Sequence, residues 1–126
     1  MGIIKSISPR SNIALDTNIF IYAMQSSGEK GESARALFEK IAKEKPRVSI
    51  SVLVFEDFLS GAELFTVIDI TRAICRIAAK IRANHKSIRT TDAFHIACAR
   101  ASGARTFITA DKRLPEKIEG VTVTVL

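Results

Sequence analysis

Ile13-Ala14-Leu15-Asp16-Thr17-Asn18-Ile19-Phe20-Ile21-Tyr22 is the stretch that decides how the rest of the chain reads. Ile13 to Leu15 is a short apolar run of strand type, and it stops at a carboxylate. Asn18 to Met24 then reads as the first turns of a helix, with Gln25 to Gly31 as the loop after it. Strand, acid, helix is the unit to look for elsewhere.

The unit recurs. From Ser33 to Lys43 the apolar residues Ala34, Leu37, Phe38 and Ile41 fall at i, i+3, i+4 and i+7, one helix face, and Pro46 ends the segment. Val48 to Ser51 reads as a second strand, and Val52 to Leu59 as a helix carrying Glu56 and stopping before Gly61. Phe65 to Ile70 is rich in β-branched residues and reads as a third strand. Ile74, Ile77, Ala78 and Ile81 mark an amphipathic helix from Thr71 to about Ala83. Thr91 to Ser102 reads as another, with Gly103 placed for a left-handed cap. Thr106 to Thr109 and Val121 to Leu126 complete five strands.

Strands alternating with helices imply a mostly parallel sheet covered on both faces. Such sheets bind ligands beyond the carboxyl ends of their strands, where the strand order reverses. Asp16 directly follows the first strand, and Asp111 follows the fourth by two residues. Glu56 lies in the helix after the second strand, and Asp92 opens the helix that leads into the fourth. Four carboxylates from four segments can therefore converge on one edge. Convergence of like charges raises their pKa values unless a cation sits between them. Mg²⁺ and Mn²⁺ prefer oxygen donors and suit such a set.

Each acid also has a plain structural use. Asp16 can cap the helix beginning near Asn18, and Asp92 can do the same beside Thr91. Asp57, next to Glu56, is turned about 100° away on a helix and reads as a surface acid. His95, one turn from Asp92, reads as a satisfied helix residue outside the catalytic set.

Composition bounds the rest. The 126 residues, 47% of them apolar, fit one domain with a single core over residues 1–126. The net charge of +6 favours polyanionic partners, nucleic acid first among them. Only 6% of residues are aromatic and none is Trp, which disfavours a base-stacking platform. No apolar run approaches the ~18 residues of a membrane span, and Met1 to Arg10 has no stretch of signal-peptide length. Cys75 and Cys98 lack metal-type spacing and read as small buried hydrophobes in a reducing compartment; a cytoplasmic protein is the expectation.

The residues also match a family. Ile13 to Tyr22 resembles the opening motif of PIN domains, and Ser51-Val-Leu-Val-Phe-Glu56 resembles their second. Thr91-Asp92-Ala-Phe-His95-Ile-Ala-Cys-Ala99 is similar to the third, and Thr106-Phe-Ile-Thr109-Ala-Asp111 to the fourth. The resemblance implies a three-layer α/β/α sandwich around a central, mostly parallel sheet of five strands. It implies metal-dependent endoribonuclease activity, of the kind found in VapC-type toxins. Carried over by position, Asp16, Glu56, Asp92 and Asp111 form the acidic set that holds Mg²⁺ or Mn²⁺. Asp16 and Asp92 would be direct ligands, and Glu56 and Asp111 would bind a second ion or position the attacking water. Thr17, Asn18 and Thr109 would orient the carboxylates by hydrogen bonds. RNA is the implied substrate; a cognate antitoxin protein and a homodimer are the partners the resemblance admits. Only Leu59 to Leu64 separates the Glu56 helix from the third strand, where the family places one more helix.

The basic residues Lys80, Arg82, His85, Lys86 and Arg89 crowd just before Asp92, and Lys112 and Arg113 adjoin Asp111. Lys80, Arg82, Lys86, Arg89, Lys112 and Arg113 are candidates for guiding RNA phosphates; a solvated surface is the ordinary alternative. Two rival functions remain to be weighed. A phosphoacceptor receiver domain would show an adjacent acid pair before the strand bearing the acceptor and a late Lys after a strand; here Asp16 stands alone with Thr17-Asn18, and the late strand ends in Thr109-Ala110-Asp111. A PIN-like scaffold that binds RNA or protein without cutting is the stronger rival.

Overall fold

The computed structural model describes residues 2–25, 27–53 and 65–126. Its elements run α1 (Gly2–Ser6), β1 (Asn12–Leu15), α2 (Thr17–Gln25), α3 (Glu29–Glu44), β2 (Arg47–Ser51), β3 (Thr66–Ile68), α4 (Arg72–Asn84), α5 (Thr90–Ala101), β4 (Thr106–Thr109), β5 (Lys117–Ile118) and β6 (Val121–Val125). Glu56, Asp57, most of the helix expected over Val52 to Leu59 and the whole Leu59–Leu64 segment lie outside the described residues.

The sheet has the order β3-β2-β1-β4-β6-β5. All neighbours are parallel except β5 and β6. It has six strands rather than the expected five. The extra one is β5, joined to β6 by a two-residue turn in which Glu119 and Gly120 both have positive φ, 49° and 81°. Such a turn usually carries Asn or Asp followed by Gly. Glu119 in the first position hid the hairpin, and α1 was likewise unexpected.

Period-2 alternation divides the strand residues between two cores. Ile13, Leu15, Val48, Ile50 and Ile108 face one side with Ile19 and Phe20 of α2 and Ala34, Leu37 and Ile41 of α3. Ala14, Phe107 and Val123 face the other with Ile74, Ala78 and Ile81 of α4 and Ala93, Ile96, Ala97, Cys98 and Ala99 of α5. Helices on both faces make the α/β/α sandwich. Phe20, Phe38 and Phe65 add an aromatic cluster with ring centroids 5.0 to 6.3 Å apart, within the range of favourable edge-to-face pairs.

Helix ends follow local chemistry. Thr71 Oγ1 accepts from the Ile74 N–H at 3.2 Å and starts α4. At the end of α5, Gly103 has φ 78°, the Ala104 N–H donates to Ala99 O, and the Gly103 N–H donates to Arg100 O. That pair of bonds is a Schellman ending, and it turns the chain into β4. α3 begins at Glu29, within the loop expected over Gln25 to Gly31, with Glu29 and Glu32 in its first turn complementing the helix dipole. Cys98 is buried, and burial pushes its thiol up to about 12. Cys75 is exposed on α4, contrary to its reading as a core residue. No described helix is long and apolar enough to cross a membrane.

Candidate active site

The strand order reverses between β1 and β4, and register sets what meets there. Leu15 lies opposite Ile108, so Asp16 falls beside Thr109, one step beyond both strands. The Asp16 N–H continues the ladder to Ile108 O at 2.9 Å. Asp16 is 3% exposed, yet its carboxylate is partnered: Thr109 Oγ1 donates to Oδ2 at 2.8 Å and Asn18 Nδ2 at 3.3 Å. Asn18 also donates to Thr109 Oγ1 at 3.2 Å, and its Oδ1 accepts from the Ala110 N–H at 3.0 Å. The Asn18 amide thus ties the start of α2 to the end of β4. Burial raises the Asp16 pKa; the Thr109 hydrogen bond opposes this, and the Asp111 charge adds to the rise.

Asp92 stands in the first turn of α5, whose N-cap is Arg89, so it is not the cap of its own helix. Its pKa is raised first by burial and then by Asp16, while Arg89 and His95 act against the rise. Asp16 and Asp92 share a cleft of about 520 Å³ with Thr17, Asn18, Ile21, Leu53, Arg89, Thr91 and His95. Asp111 occupies an adjoining recess of about 250 Å³ that includes Asp92, Arg89 and Arg113. Its state is different. Arg113 grips it with Nε at 3.0 Å and Nη2 at 3.1 Å, and these hydrogen bonds hold its carboxyl below the usual range. Arg89 sits between the acids, 3.6 Å from Asp92 and 3.9 Å from Asp111.

His95, read as a satisfied helix residue, is one, but its partners were not read. It is 2% exposed; its Nε2 lies 2.8 Å from Thr17 Oγ1 and its Nδ1 2.6 Å from Ser51 Oγ. Nε2 is also 4.0 Å from Asp16 Oδ1. Burial lowers its pKa to about 4, so at neutral pH the ring is uncharged, one nitrogen donating and the other accepting. Thr17, expected to orient a carboxylate, bonds this imidazole instead. The signal was a lone polar side chain in the otherwise apolar run Ala93 to Ala99, since a buried histidine needs partners. Its partners are 78 and 44 residues away, which no local pattern reveals.

The basic candidates divide. Arg89 and Arg113 join the acids. Lys80 pairs instead with Glu119, in the hairpin turn at the opposite end of the sheet, and Arg82 hydrogen-bonds Thr90 Oγ1. Lys86 and Lys112 are exposed. Among the described residues, no three His, Cys, Asp or Glu side chains gather closely enough to hold one ion. The oxygen donors at hand, Asp16 and Asp92, nonetheless suit a hard divalent cation, whose charge would relieve two carboxylates that burial and mutual repulsion disfavour.

Comparison with known structures places this geometry. A chain of VapBC2 from Rickettsia felis, crystallised bound to a DNA fragment from their promoter, superposes with a TM-score of 0.67 at 18% identity, over 90% of this chain and 97% of that one. A chain of a toxin-antitoxin complex from Klebsiella pneumoniae gives 0.65 at 21% identity, covering 88% and 96%. DNA-bound VapBC from Salmonella typhimurium gives 0.64 at 20% identity, covering 91% and 98%. These establish a shared fold. The search of curated protein sequences returns no match. Residues 55–119 match the sequence model of the PIN domain, a span that contains Asp92 and Asp111 but begins after Asp16. With half of its length matched and the fold shared, the chain belongs to the PIN domain family.

Proposed function

We propose that this PIN domain is an endoribonuclease that uses Mg²⁺ or Mn²⁺ held by Asp16 and Asp92, with Asp111 and Glu56 completing the acidic set. The observation that carries the reading is the pair Asp16 and Asp92: two carboxylates from different elements, both with raised pKa, share one cleft beyond the β1/β4 switch point. A divalent cation there supplies Lewis-acid stabilisation of the charge that builds on a phosphate.

The chain's own groups do the remaining work. Thr109 and Asn18 fix Asp16 Oδ2, and a Thr17 backbone hydrogen bond also holds the carboxylate, which orients it for an ion. Arg89, with a side chain 70% exposed, reaches from the acids toward solvent and can meet a backbone phosphate at the mouth of the cleft. Arg113 can do the same beside Asp111. The neutral His95 holds the start of α2 and the end of β2 to α5 and brings no second cation to the site.

The VapBC and toxin-antitoxin assemblies of similar fold support a toxin role with a cognate antitoxin partner. The grip of Arg113 on Asp111 is what a non-cleaving scaffold would also show, and one experiment separates the two. RNA cleavage is followed during Mg²⁺ and Mn²⁺ titration for the wild type, Asp16→Asn and Asp92→Asn. The enzyme reading expects metal-dependent cutting that falls on the order of a thousandfold in each variant, equal to about 4 kcal/mol of transition-state stabilisation. RNA binding without cutting at any metal concentration would leave the scaffold.

A further inference from the structure

The opposite end of the sheet has a cavity of its own. It measures about 620 Å³ and lies beneath the starts of β1 and β4, lined by Ser8, Arg10, Ser11 and Arg105 together with apolar residues of α1. The segment Ser8-Pro9-Arg10-Ser11 is a closed turn, with the Ser11 N–H donating to Ser8 O at 3.0 Å. Ser8 Oγ accepts from the Arg10 N–H at 3.3 Å, and Ser11 Oγ accepts from the Ser8 N–H at 3.0 Å. Each hydroxyl therefore spends a lone pair inside the turn and keeps its proton to donate. Arg105 enters from the other side, fixed by its own N–H to Asn12 O at 3.1 Å and by its carbonyl, which accepts from Thr122 N–H at 3.0 Å. Among the described residues no carboxylate pairs with either guanidinium; the acids at this end are spoken for, Glu119 by Arg100 and Lys80, and Glu44 by Lys40.

Two guanidiniums without a described carboxylate partner and the hydroxyls of Ser8 and Ser11 surround this recess, beside one buried acceptor, Asn12 Oδ1, that has no described hydrogen-bond partner. We infer that this cavity is a second nucleic-acid contact, in which Arg10 and Arg105 hold backbone phosphates of a single-stranded RNA whose cut segment lies at the acidic edge. The donors match phosphate oxygens, which take guanidinium forks and hydroxyl hydrogen bonds without regard to sequence. Arg47, whose N–H donates to Ser11 O, adds a third positive charge beside the turn. The two ends of β1 lie on the order of 13 Å apart through the core, and the helices on both faces lengthen the surface path, so one strand reaching both sites spans several nucleotides. The identity of the polymer rests on the ribonuclease reading, whereas the site itself rests only on this end of the sheet.

The test is binding, not cutting. Fluorescein-labelled single-stranded RNA is titrated with the wild-type protein in EDTA at several salt concentrations, followed by anisotropy. Arg10→Gln with Arg105→Gln should flatten the slope of log K against log salt by about 1.4, two contacts at about 0.7 each. Arg10→Lys with Arg105→Lys should keep the wild-type slope, which also shows that the turn still folds. A charge-matched control on α3 and α4, Lys43→Gln with Arg76→Gln, should leave it unchanged. An unaltered slope in the Arg-to-Gln pair, or an equal loss in the control pair, overturns the site. A wild type that never cuts RNA at any metal concentration, yet shows the flattened slope in the Arg-to-Gln pair, would end the nuclease reading and leave this site standing.

Discussion

The two ends of the same sheet treat charge in opposite ways. At the carboxyl end, acids are held by hydrogen bonds: buried Asp16 by Thr109 and Asn18, and half-buried Asp111 by Arg113. At the amino end, Arg10 and Arg105 stand around an open cavity with no described carboxylate partner. The difference teaches where each end is committed. The acidic end buries Asp16 and half-buries Asp92, and burial raises the pKa of both. The basic end keeps charges in water, where they cost the fold little, and reserves them for something that arrives from outside.

The largest expected effect tests how far the acidic end depends on neutral His95. Its replacement by Ala leaves Ser51 and Thr17 without their buried partner and opens a cavity, which should cost about 3 kcal/mol by chemical denaturation. The wild type should also carry a matching pH dependence. His95 has a folded pKa of about 4 against 6.5 when unfolded, so the unfolded chain binds the extra proton between those values. Stability is then full above about pH 6.5 and declines as pH falls toward 4. Asp16 and Asp92 act in the other sense, since a raised carboxyl pKa means that folding gains as they take up protons. His95→Gln should remove the histidine share of the decline; a profile that keeps it would show that another group titrates.

Of intermediate size is the effect of Arg113→Gln. The arginine is fully exposed and competes with any cation for Asp111, so its loss should tighten Mn²⁺ binding by up to about tenfold, read by calorimetry. Weaker binding in that variant would mean that Arg113 organises the site rather than competing with the ion. The smallest effect belongs to the basic end. Gly120 has φ 81° with open space where a Cβ would sit, so Gly120→Ala should cost about 1 kcal/mol from backbone conformation alone. RNA affinity should stay unchanged, because no residue of the hairpin lines the Arg10 and Arg105 cavity.

The acidic edge was legible because strand ends fix positions. Asp16 and Asp111 follow apolar runs, and the switch-point rule then brings them together without knowledge of side-chain packing. What escaped the sequence depends on contacts between distant segments or on a turn with an unusual residue. The Thr17–His95–Ser51 link joins three elements, and nothing near His95 in the chain announces it. β5 escaped because Glu119 occupies a position where Asn or Asp would have been the sign. The pairing of Arg113 with Asp111 is local, two residues apart, yet a surface arginine gives no sequence signal of which way it turns. Composition likewise suggested a basic surface without saying that two of its arginines share a cavity.

Calorimetric titration of the wild type and of Asp16→Asn and Asp92→Asn with Mn²⁺, without RNA, asks most directly whether the strand-end acids hold a divalent cation. The wild type should bind and gain about 2.7 kcal/mol of stability at a hundredfold excess over Kd. Both variants should lose that gain while remaining folded. Equal Mn²⁺ binding by all three proteins would contradict the account.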